Sequence, residues 1–278
     1  MKILALNAGS SSLRARLVGF KNRDAGVHED LWRAHVVWDQ DHKTSVQVWP
    51  KNGNGAAQAY PGSLAELLPA LLSPIWSGSA SIIDSNTEIH TVGHRIVHGG
   101  GKYGDSVDIN ETVLNELAAL GTVAPLHNRV AIEVVRILQE LLPSADQVAV
   151  FDTGFHTTLP DAAKTYPGPY EWLAQGIYRY GFHGTSHRYA ARRTAEILNR
   201  PLKALRIVTC HLGSGASLAA IVSGTSIDTT MGFTPMEGLM MSTRSGSIDP
   251  GIVLHLLRHE NRSADEVETM LNEESGLK

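Results

Sequence analysis

The sequence predicts an α/β fold of two similar lobes, and two short turns of the same design support this prediction. The first turn, residues 7–12, follows the apolar run 3–6, and the second, residues 211–215, follows 207–210. A further apolar run follows each turn, so each is predicted to be a hairpin with a Gly/Ser tip. Glycine lets the backbone N–H groups of such a tip approach an anion closely. Two such hairpins therefore indicate two related lobes that grip one phosphate-bearing ligand.

Length, composition and charge limit the class of protein. The chain has 278 residues, 42% of them apolar, which suits about two domains with cores of their own. The formal net charge of −4 argues against a partner made of nucleic acid. No apolar stretch approaches the ~20 residues that cross a bilayer, and no membrane partner is expected. Cys210 is the single cysteine and lies in a predicted buried strand. Because it can form no internal disulfide, we expect a soluble protein of the reducing cytoplasm.

The first lobe is expected to span residues 1–151. Apolar and polar residues alternate over 13–18, which is typical of a half-buried strand. Residues 50–62 are rich in Gly, Asn, Ala and Pro and are predicted to form a loop. Ser63 and Glu66 have the spacing of a capping box that opens a helix through Leu72. Further strands are predicted at 34–37, 46–49, 89–97 and 148–151, and further helices at 111–120 and 128–142.

The second lobe is expected to span residues 152–278 and to be incomplete. Asp249 and Pro250 are a good N-cap and first residue for a helix that ends near Arg258. Only 54 residues, 225–278, remain to complete this lobe beyond the second hairpin, and we expect uncovered sheet edges and apolar helix faces. Strands mixed with helices fit the α/β class. The other predicted elements are a helix at 185–198, a hairpin at 207–222 and a helix at 263–271.

Polar and charged residues gather at predicted strand ends beside Gly or Pro, where loops form sites. Neither Gly/Ser turn is a Walker P-loop, because Gly-Lys-Ser/Thr is missing, and neither completes a Rossmann fingerprint. Taken singly, each turn is also compatible with an ordinary tight hairpin, and each polar group with structural or solvated residues. The polar groups are residues 94–98, 125–128, 152–154, 183–187 and 243–246.

These segments resemble the signature blocks of the acetate kinases, members of the sugar kinase/Hsp70/actin superfamily. Residues 3–12, Ile-Leu-Ala-Leu-Asn-Ala-Gly-Ser-Ser-Ser, resemble the N-terminal signature, and 208–217, Val-Thr-Cys-His-Leu-Gly-Ser-Gly-Ala-Ser, resemble the second. The resemblance covers the whole chain and implies two lobes of the actin-like ATPase (ribonuclease H-like) type. The blocks at 93–100, 151–156, 180–187 and 243–250 match in the order of the family.

The resemblance implies reversible phosphoryl transfer from ATP, with Mg²⁺ or Mn²⁺, to acetate or another short-chain carboxylate, giving an acyl phosphate and ADP. Such a transfer depends on positioning and charge neutralisation. The resemblance makes Arg95 the carboxylate-binding residue, a role that suits the fork of a guanidinium. It places Asn7 near the metal. It also implies that His183 and Arg244 bind the equatorial oxygens of the phosphoryl group during transfer.

Asp152 is given an acid/base role by the resemblance. A carboxylic acid with a pKa of about 4 is already ionised at pH 7, so the nucleophile needs no base. We therefore expect Asp152 to arrange the metal or the phosphoryl group.

The resemblance also implies an apolar pocket for the substrate's methyl group and a set of residues around the nucleotide phosphates. Such a pocket separates acids that differ by one methylene by only roughly 1–3 kcal/mol, so acetate and propionate both remain candidates. The pocket residues are Val97, Leu126, Phe182 and Pro235. The phosphate-binding residues are Ser10, Ser12, Arg14, His211, Leu212, Gly213, Ser214 and Gly215.

The chain departs from the family pattern in its side chains and in its length. Arg14 stands where Lys is usual, Ser214 where Asn is common, and Ser247 where Asp is common. Family members continue past residue 278 with adenosine-binding loops, a Mg²⁺-associated Glu and helices that close the first lobe. We therefore expect a C-terminally truncated acetate kinase, which would be a homodimer when full length.

Three other interpretations are compatible with parts of the sequence. A truncated remnant could bind phosphate or a partner subunit without turnover. Asp152-Thr-Gly resembles the active-site triplet of aspartic proteases, which would require a symmetric dimer to supply the second carboxylate. His183 and His187 have a spacing that suits two zinc ligands on a helix face, although the Glu of His-Glu-x-x-His is absent.

Overall fold

The protein forms two compact units in the computed structural model. The first unit comprises Met1–His98 and Ser106–Val150, and the second comprises Gly99–Asp105 and Phe151–Lys278. The short segment Gly99–Asp105 therefore belongs to the second unit although its neighbours in the chain belong to the first. The structure describes residues 1–9, 12–21, 28–38, 44–50, 56–60, 63–120 and 125–277, without the side chains of 50, 56–60 and 125–128.

The first unit is built on a mixed sheet of eight described strands. They are β1 Lys2–Ala8, β2 Ser12–Phe20, β3 His28–Trp38, β4 Thr44–Pro50, β5 Ala56–Tyr60, β6 Ile89–Ile96, β7 Val107–Asp108 and β8 Asp146–Phe151. Their order in the sheet is β5-β4-β3-β2-β1-β6-β8-β7. The first five form an antiparallel meander, and β6 runs parallel to β1. The end of β1 and its turn thus lie in the middle of the sheet.

One face of this sheet is buried and the other carries polar side chains. Leu4 and Leu13 are fully buried, whereas Ala5 and Arg14, one residue further along each strand, are exposed. Each fully buried leucine contributes about 1.5–3 kcal/mol of burial free energy. Three helices of this unit, which the sequence predicts, are α1 Leu64–Leu72, α2 Glu111–Ala119 and α3 Pro125–Leu141, the last beginning three residues before its predicted start. Helices α1 and α3 supply apolar partners of the buried face, and α2 packs against α3.

The prediction of a loop over residues 50–62 is wrong where it includes Ala56–Tyr60. These residues form β5, which pairs antiparallel with β4 from Val48 opposite Ala56 to Thr44 opposite Tyr60. The open edge of β4 offers backbone hydrogen-bonding groups to any segment that reaches it, and strand formation depends on such context more than on composition. The rest of the expected loop, 51–55 and 61–62, lies outside the described residues.

The second unit contains a smaller antiparallel sheet in the order β11-β10-β9, whose strands are β9 Arg206–Leu212, β10 Ala216–Val222 and β11 Thr225–Thr229. The predicted hairpin is thus confirmed, while β11 is an addition. Its helices are α4 Asp161–Lys164, α5 Gly184–Ile197, α6 Pro250–Arg258 and α7 Ala264–Asn272. The cap of α6 is confirmed too, because Asp249 Oδ1 accepts a hydrogen bond from Gly251 N–H over 2.8 Å.

Cys210 is exposed, so the prediction that it lies in a buried strand is wrong. The residue does lie in β9, but β9 is an edge strand of its sheet, and the side chains of that strand that turn toward the interior are Ile207, Thr209 and His211. On the opposite face Val208 is 66% exposed and Leu212 is 72% exposed. Within the described ranges nothing covers this face, as expected. The exposed apolar residues of α6 are Ile252, Leu254 and Leu257.

The helices of both units are short. The longest, α3, has 17 residues and carries four charged side chains. Over the described part of the chain, no helix combines the length and the apolar character that a membrane span requires.

Candidate functional site

In the first unit, the predicted phosphate turn joins β1 to β2, and Asn7 near the end of β1 contacts Arg95 of β6. Gly9 N–H donates to Ser12 O over 2.8 Å and closes the turn. Asn7 Oδ1 accepts a hydrogen bond from Arg95 Nη1 over 2.8 Å, and both side chains are half-buried. The structure therefore brings together the predicted metal-binding and carboxylate-binding residues. Ser12 is half-buried, and Ser10 lies outside the described residues.

Arg14 lies beside Asn7 on the neighbouring strand, so the polar side chains of Arg95, Asn7 and Arg14 form a row across the sheet. The strand register sets Asn7 opposite Arg14, and Arg14 opposite His35. Burial, together with the charge of Arg14, holds the pKa of His35 below its usual value. This positively charged face suits an anion. The row lines a pocket of about 620 Å³, whose other polar or aromatic residues are Arg16, Arg33 and Trp49.

Two of the residues predicted to contact the substrate's methyl group lie in the first unit. Val97 directly follows β6 and is half-buried. Leu126 lies in the first turn of α3, and its side chain is outside the described residues.

In the second unit, Asp152 directly follows β8 and is 1% exposed. Its Oδ1 accepts a hydrogen bond from Thr185 Oγ1 over 3.0 Å, and its main-chain oxygen accepts one from Gly184 N–H over 2.8 Å. A Cβ at position 184 would overlap that main-chain oxygen, so only glycine fits there. Asp152 is thereby fixed to the N-terminus of α5, where the helix dipole favours a carboxylate.

His183 precedes α5 in a left-handed backbone conformation, with φ of 58°. Residues other than glycine rarely adopt this conformation, and they keep it only where their surroundings enforce it. The ring is held by a contact of 2.8 Å between Nδ1 and Ser217 Oγ. It also stacks on His211 with centroids 3.9 Å apart. On the backbone side, Phe182 O accepts a hydrogen bond from His156 Nε2 over 3.0 Å.

His183 and Arg244 converge on Gly215, at the end of the second turn. A Cβ on Gly215 would lie 3.4 Å from His183 Nε2 and 3.5 Å from Arg244 Nη1. Arg244 is half-buried, burial lowers its pKa, and Nη1 donates to Pro235 O over 3.0 Å. Among the described residues no carboxylate forms an ion pair with Arg244. Because a buried cation is costly without a counter-charge, this corner suits an anion.

The turn at 211–215 is itself well ordered by backbone contacts. Gly213 N–H donates to Gly215 O over 3.1 Å, and Ser214 O accepts from Ser242 N–H over 3.2 Å. His211 Nδ1 lies 2.8 Å from Ser186 Oγ. Leu212 and Ser214 point to solvent. The residues predicted for the phosphates in this unit are therefore neighbours of His183 and Arg244.

The other two residues predicted for the methyl pocket differ in their surroundings. Phe182 is 1% exposed, so its ring belongs to the interior of the second unit. Pro235 is half-buried and reaches the site through its carbonyl, which accepts from Arg244.

The sequence analysis missed a buried polar cluster behind His183. His187 is 1% exposed, with Nδ1 at 2.7 Å from Thr209 Oγ1 and Nε2 at 2.9 Å from Ser217 Oγ. Burial lowers the pKa of His187 to about 4, so its imidazole is neutral at pH 7. Its partners are 22 and 30 residues away in the chain, and no local spacing predicts them.

Metal-binding groups are sparse in the described residues. No three His, Cys, Asp or Glu side chains there are grouped so that they could hold a metal ion. The rings of His183 and His187 lie 6.5 Å apart, and both contact Ser217, so they do not form a pair of zinc ligands. Mg²⁺ in kinases is bound mainly by substrate phosphates and water with few protein oxygens. The amide oxygen of Asn7 accepts from Arg95 with one lone pair, and its second lone pair is of the kind that Mg²⁺ binds when the ion arrives with the nucleotide.

Known proteins resemble this chain over its whole length. The model of the acetokinase family matches residues 2–278. An acetate kinase of a Cyanothece species is 50% identical over 281 residues, which cover 100% of this chain and 69% of that protein. The crystal structure of Porphyromonas gingivalis acetate kinase has a TM-score of 0.86 at 37% identity, covering 99% of this chain and 68% of that one. A propionate kinase from Francisella tularensis has a TM-score of 0.88 at 36% identity over the same shares, 99% and 68%. The predicted α/β fold of the actin-like ATPase type is confirmed.

Proposed function

The chain belongs to the acetokinase family, and on this premise we propose that it transfers a phosphoryl group reversibly between ATP and acetate, giving acetyl phosphate and ADP. Propionate is the second acceptor under this proposal. The observation that carries it is the convergence of His183 and the half-buried Arg244 on Gly215. These groups provide N–H donors and a positive charge where a phosphoryl group needs them.

The acceptor binds first through its charge. Arg95 takes the carboxylate of acetate in the fork of its guanidinium, and Asn7 holds that fork in position through its amide oxygen. The family pattern assigns the methyl group to Val97, Leu126, Phe182 and Pro235, of which Val97 and Pro235 are half-buried and Phe182 belongs to the interior of the second unit. A pocket of this kind favours acetate over propionate, or the reverse, by roughly 1–3 kcal/mol.

The chemical step depends on charge neutralisation. The carboxylate oxygen attacks the γ-phosphorus, the bond to the bridging oxygen of ADP breaks, and negative charge spreads over three equatorial oxygens. Arg244 and the Nε2 of His183 stabilise that charge. Asp152, fixed by Thr185 and Gly184, arranges the reacting groups and takes no proton, since acetate is already ionised.

The nucleotide phosphates are assigned to both turns. In the first unit these are Ser10, Ser12 and Arg14, and in the second His211, Leu212, Gly213, Ser214 and Gly215. Mg²⁺, with Mn²⁺ as a substitute, would neutralise charge on the β- and γ-phosphates, and Asn7 is the side chain placed to hold it.

By family membership we also propose a cytoplasmic homodimer that binds neither nucleic acid nor membrane. Analytical sedimentation would test the dimer.

The test is an assay of the 278-residue chain with acetate, Mg-ATP and hydroxylamine, which traps acetyl phosphate as its hydroxamate. Arg95→Ala and Arg244→Ala are expected to lower kcat/KM by about 10²–10³-fold. The matched control is Arg136→Ala, because Arg136 is exposed on α3 and forms only a surface ion pair with Glu111. Wild-type activity in both site variants, or no hydroxamate from the wild-type chain, would contradict the proposal.

A further inference from the structure

We propose that His187 and Ser217 are positioning residues that fix the tautomer of His183, so that His183 presents an N–H at Nε2. The identity of the group that receives this N–H, a phosphoryl oxygen, rests on the function proposed above. Neither residue touches that group. They form a buried hydrogen-bonded chain that runs from Thr209 through His187 and Ser217 to His183.

The hydroxyl of Ser217 joins two imidazoles. Ser217 Oγ lies 2.8 Å from His183 Nδ1 and 2.9 Å from His187 Nε2, and its hydroxyl has one proton to donate. Among the described residues these two imidazoles are its only side-chain partners, and a buried hydroxyl proton is not left without an acceptor, so Ser217 donates to one imidazole and accepts from the other. Ser217 is fully buried, so water cannot replace either partner.

The two imidazoles are consequently coupled. If His187 carries its proton on Nε2, it donates to Ser217, Ser217 donates to His183 Nδ1, and the proton of His183 is on Nε2. If His187 carries its proton on Nδ1, every bond reverses and the proton of His183 is on Nδ1. Neutral His187 and neutral His183 thus hold their protons on nitrogens of the same type.

The site selects the first of these two states. His183 Nε2 and Arg244 Nη1 lie 3.4 Å and 3.5 Å from the position that a Cβ on Gly215 would take, so Nε2 borders the corner where the phosphoryl group is proposed to bind. Phosphoryl oxygens only accept hydrogen bonds, so a bare Nε2 there would repel them, whereas Nε2–H binds them. Thr209 completes the chain by donating its hydroxyl proton to His187 Nδ1, 2.7 Å away.

The surroundings of His187 keep its imidazole neutral. Its ring centroid lies 5.7 Å from that of His156 and 6.4 Å from that of His211, and both imidazoles disfavour a charge on it. Asp152 is the group that acts in the opposite direction, and burial outweighs it. With its pKa lowered to about 4, His187 holds one proton throughout the neutral range.

His156 independently holds the backbone beside His183. A carbonyl only accepts, so the Nε2 that contacts Phe182 O must carry the proton of His156, and Ser226 donates to its Nδ1. The same arrangement of a serine hydroxyl directed at Nδ1 and a proton on Nε2 therefore occurs twice in this unit. For His156 this arrangement fixes the main chain at Phe182, and for His183 it fixes the ring that faces the proposed phosphoryl site.

Nitrogen NMR tests the proposal directly. In the 278-residue chain labelled with ¹⁵N-histidine, long-range proton–nitrogen spectra near neutral pH distinguish the two tautomers from each other and from imidazolium. His183→Gln and His187→Gln assign the signals. We expect His183 and His187 both to be protonated on Nε2 in the wild type. A proton on Nδ1 of His183, or an imidazolium, would overturn the proposal.

Variants then test the coupling. Ser217→Ala and His187→Leu should leave His183 as a mixture of tautomers, whereas His187→Gln, whose amide donates to Ser217 in place of Nε2–H, should restore the wild-type state. Ser186→Ala is the matched control. It removes the contact of 2.8 Å between Ser186 and His211, which is not part of the hydrogen-bonded series Thr209–His187–Ser217–His183. A wild-type signal of His183 in both Ser217→Ala and His187→Leu would contradict the coupling.

Kinetics separate this proposal from the proposed function. Ser217→Ala is expected to lower kcat by about tenfold or more, as loss of an orienting partner typically does, with little change in the KM for acetate. The spectra need no turnover. An inactive wild-type protein would therefore contradict the proposed function, while the observed tautomer of His183 would still test the roles of His187 and Ser217. If His187→Leu does not fold, the wild-type spectrum and Ser217→Ala are sufficient.

Discussion

Asn7 Oδ1 accepts a hydrogen bond from Arg95 Nη1 over 2.8 Å, although the two residues are 88 positions apart in the chain. They meet because β1 and β6 are parallel neighbours and both side chains lie on the same face of the sheet. Because the side chain of Asn7 is a neutral amide, this hydrogen bond orients the guanidinium of Arg95 without adding a negative charge beside it.

Replacing Asn7 by Asp is therefore expected to weaken acetate binding, because the new carboxylate would pair with Arg95 and compete with the substrate. Loss of a charge-assisted hydrogen bond costs about 1.5–3 kcal/mol, which corresponds to a rise in the KM for acetate of roughly 10–100-fold. Steady-state hydroxamate assays measure it. Asn7→Ala removes the orienting amide and the proposed metal contact but adds no charge beside Arg95, so it should raise the KM for acetate less, and an unchanged KM in Asn7→Asp would refute this role.

Gly215→Ala should abolish phosphate binding while leaving the fold intact. The added Cβ would lie 3.4 Å from His183 Nε2 and 3.5 Å from Arg244 Nη1, which are ordinary van der Waals distances, yet it would fill the space between these groups. Calorimetry with ATP and a thermal unfolding curve measure the two effects separately. Gly93→Ala is the comparison, since Gly93 lies in neither turn and no heavy atom of the described residues lies within 4 Å of its added Cβ. Equal ATP affinity in Gly215→Ala and wild type would count against the site.

Gly184→Ala is expected to destabilise the protein by several kcal/mol, because a Cβ there would overlap the main-chain oxygen of Asp152 and lie 2.9 Å from Phe155 Cβ. The start of α5 would have to shift, and Asp152 with it. Urea unfolding measures the loss. Gly93→Ala is the control, since within the described residues no heavy atom lies within 4 Å of its added Cβ. A wild-type urea midpoint in Gly184→Ala would show that the contact is less tight than described.

Stability should fall as the pH is lowered from 6.5 toward 4. Burial lowers the pKa of His94, His98, His156 and His187 from 6.5 to about 4 in the folded state. Between these values the unfolded chain binds protons that the folded chain does not, so the free energy of unfolding decreases with falling pH. Each histidine contributes up to about 1.4 kcal/mol per pH unit within this window.

Urea midpoints measured at neutral pH and at about pH 5 check this slope. His94→Gln should reduce it, because one buried histidine is removed, whereas His259→Asn on the surface should not. A midpoint that does not change over this range would contradict the burial of these imidazoles.

Local patterns were sufficient for much of the fold. The alternation over 13–18 and the turn residues predict the β1–β2 hairpin, and Asp249 with Pro250 predicts the start of α6, because these signals act between residues close in the chain. β5 escaped prediction because its residues have little strand preference of their own and pair with an edge that only the fold provides. Cys210 was misjudged for a related reason. Its apolar neighbours indicate burial, but which face of β9 is covered depends on the rest of the fold.

The candidate site shows the same division. Family blocks point to Arg95, His183 and Arg244, yet they give no reason to pair Arg95 with Asn7. The contacts of His187 and Ser217 were out of reach altogether. Ser217 is one of several small residues in β10, and only the packing of α5 on the sheet gives it two imidazoles as partners.

The segment Gly99–Asp105 limits how this protein can be taken apart. Tyr103 stacks on Phe151 with ring centroids 5.0 Å apart and planes 6° from parallel, and the carbonyl of Gly104 fills the space where a side chain at Gly154 would lie. A polypeptide that begins at residue 151 would lack both, so one side of Phe151 would face water and the turn after β8 would lose its support. The two units are thus not modules that a single cut can release. Transplanting the second one intact requires a permuted or two-piece polypeptide that keeps residues 99–105 with it.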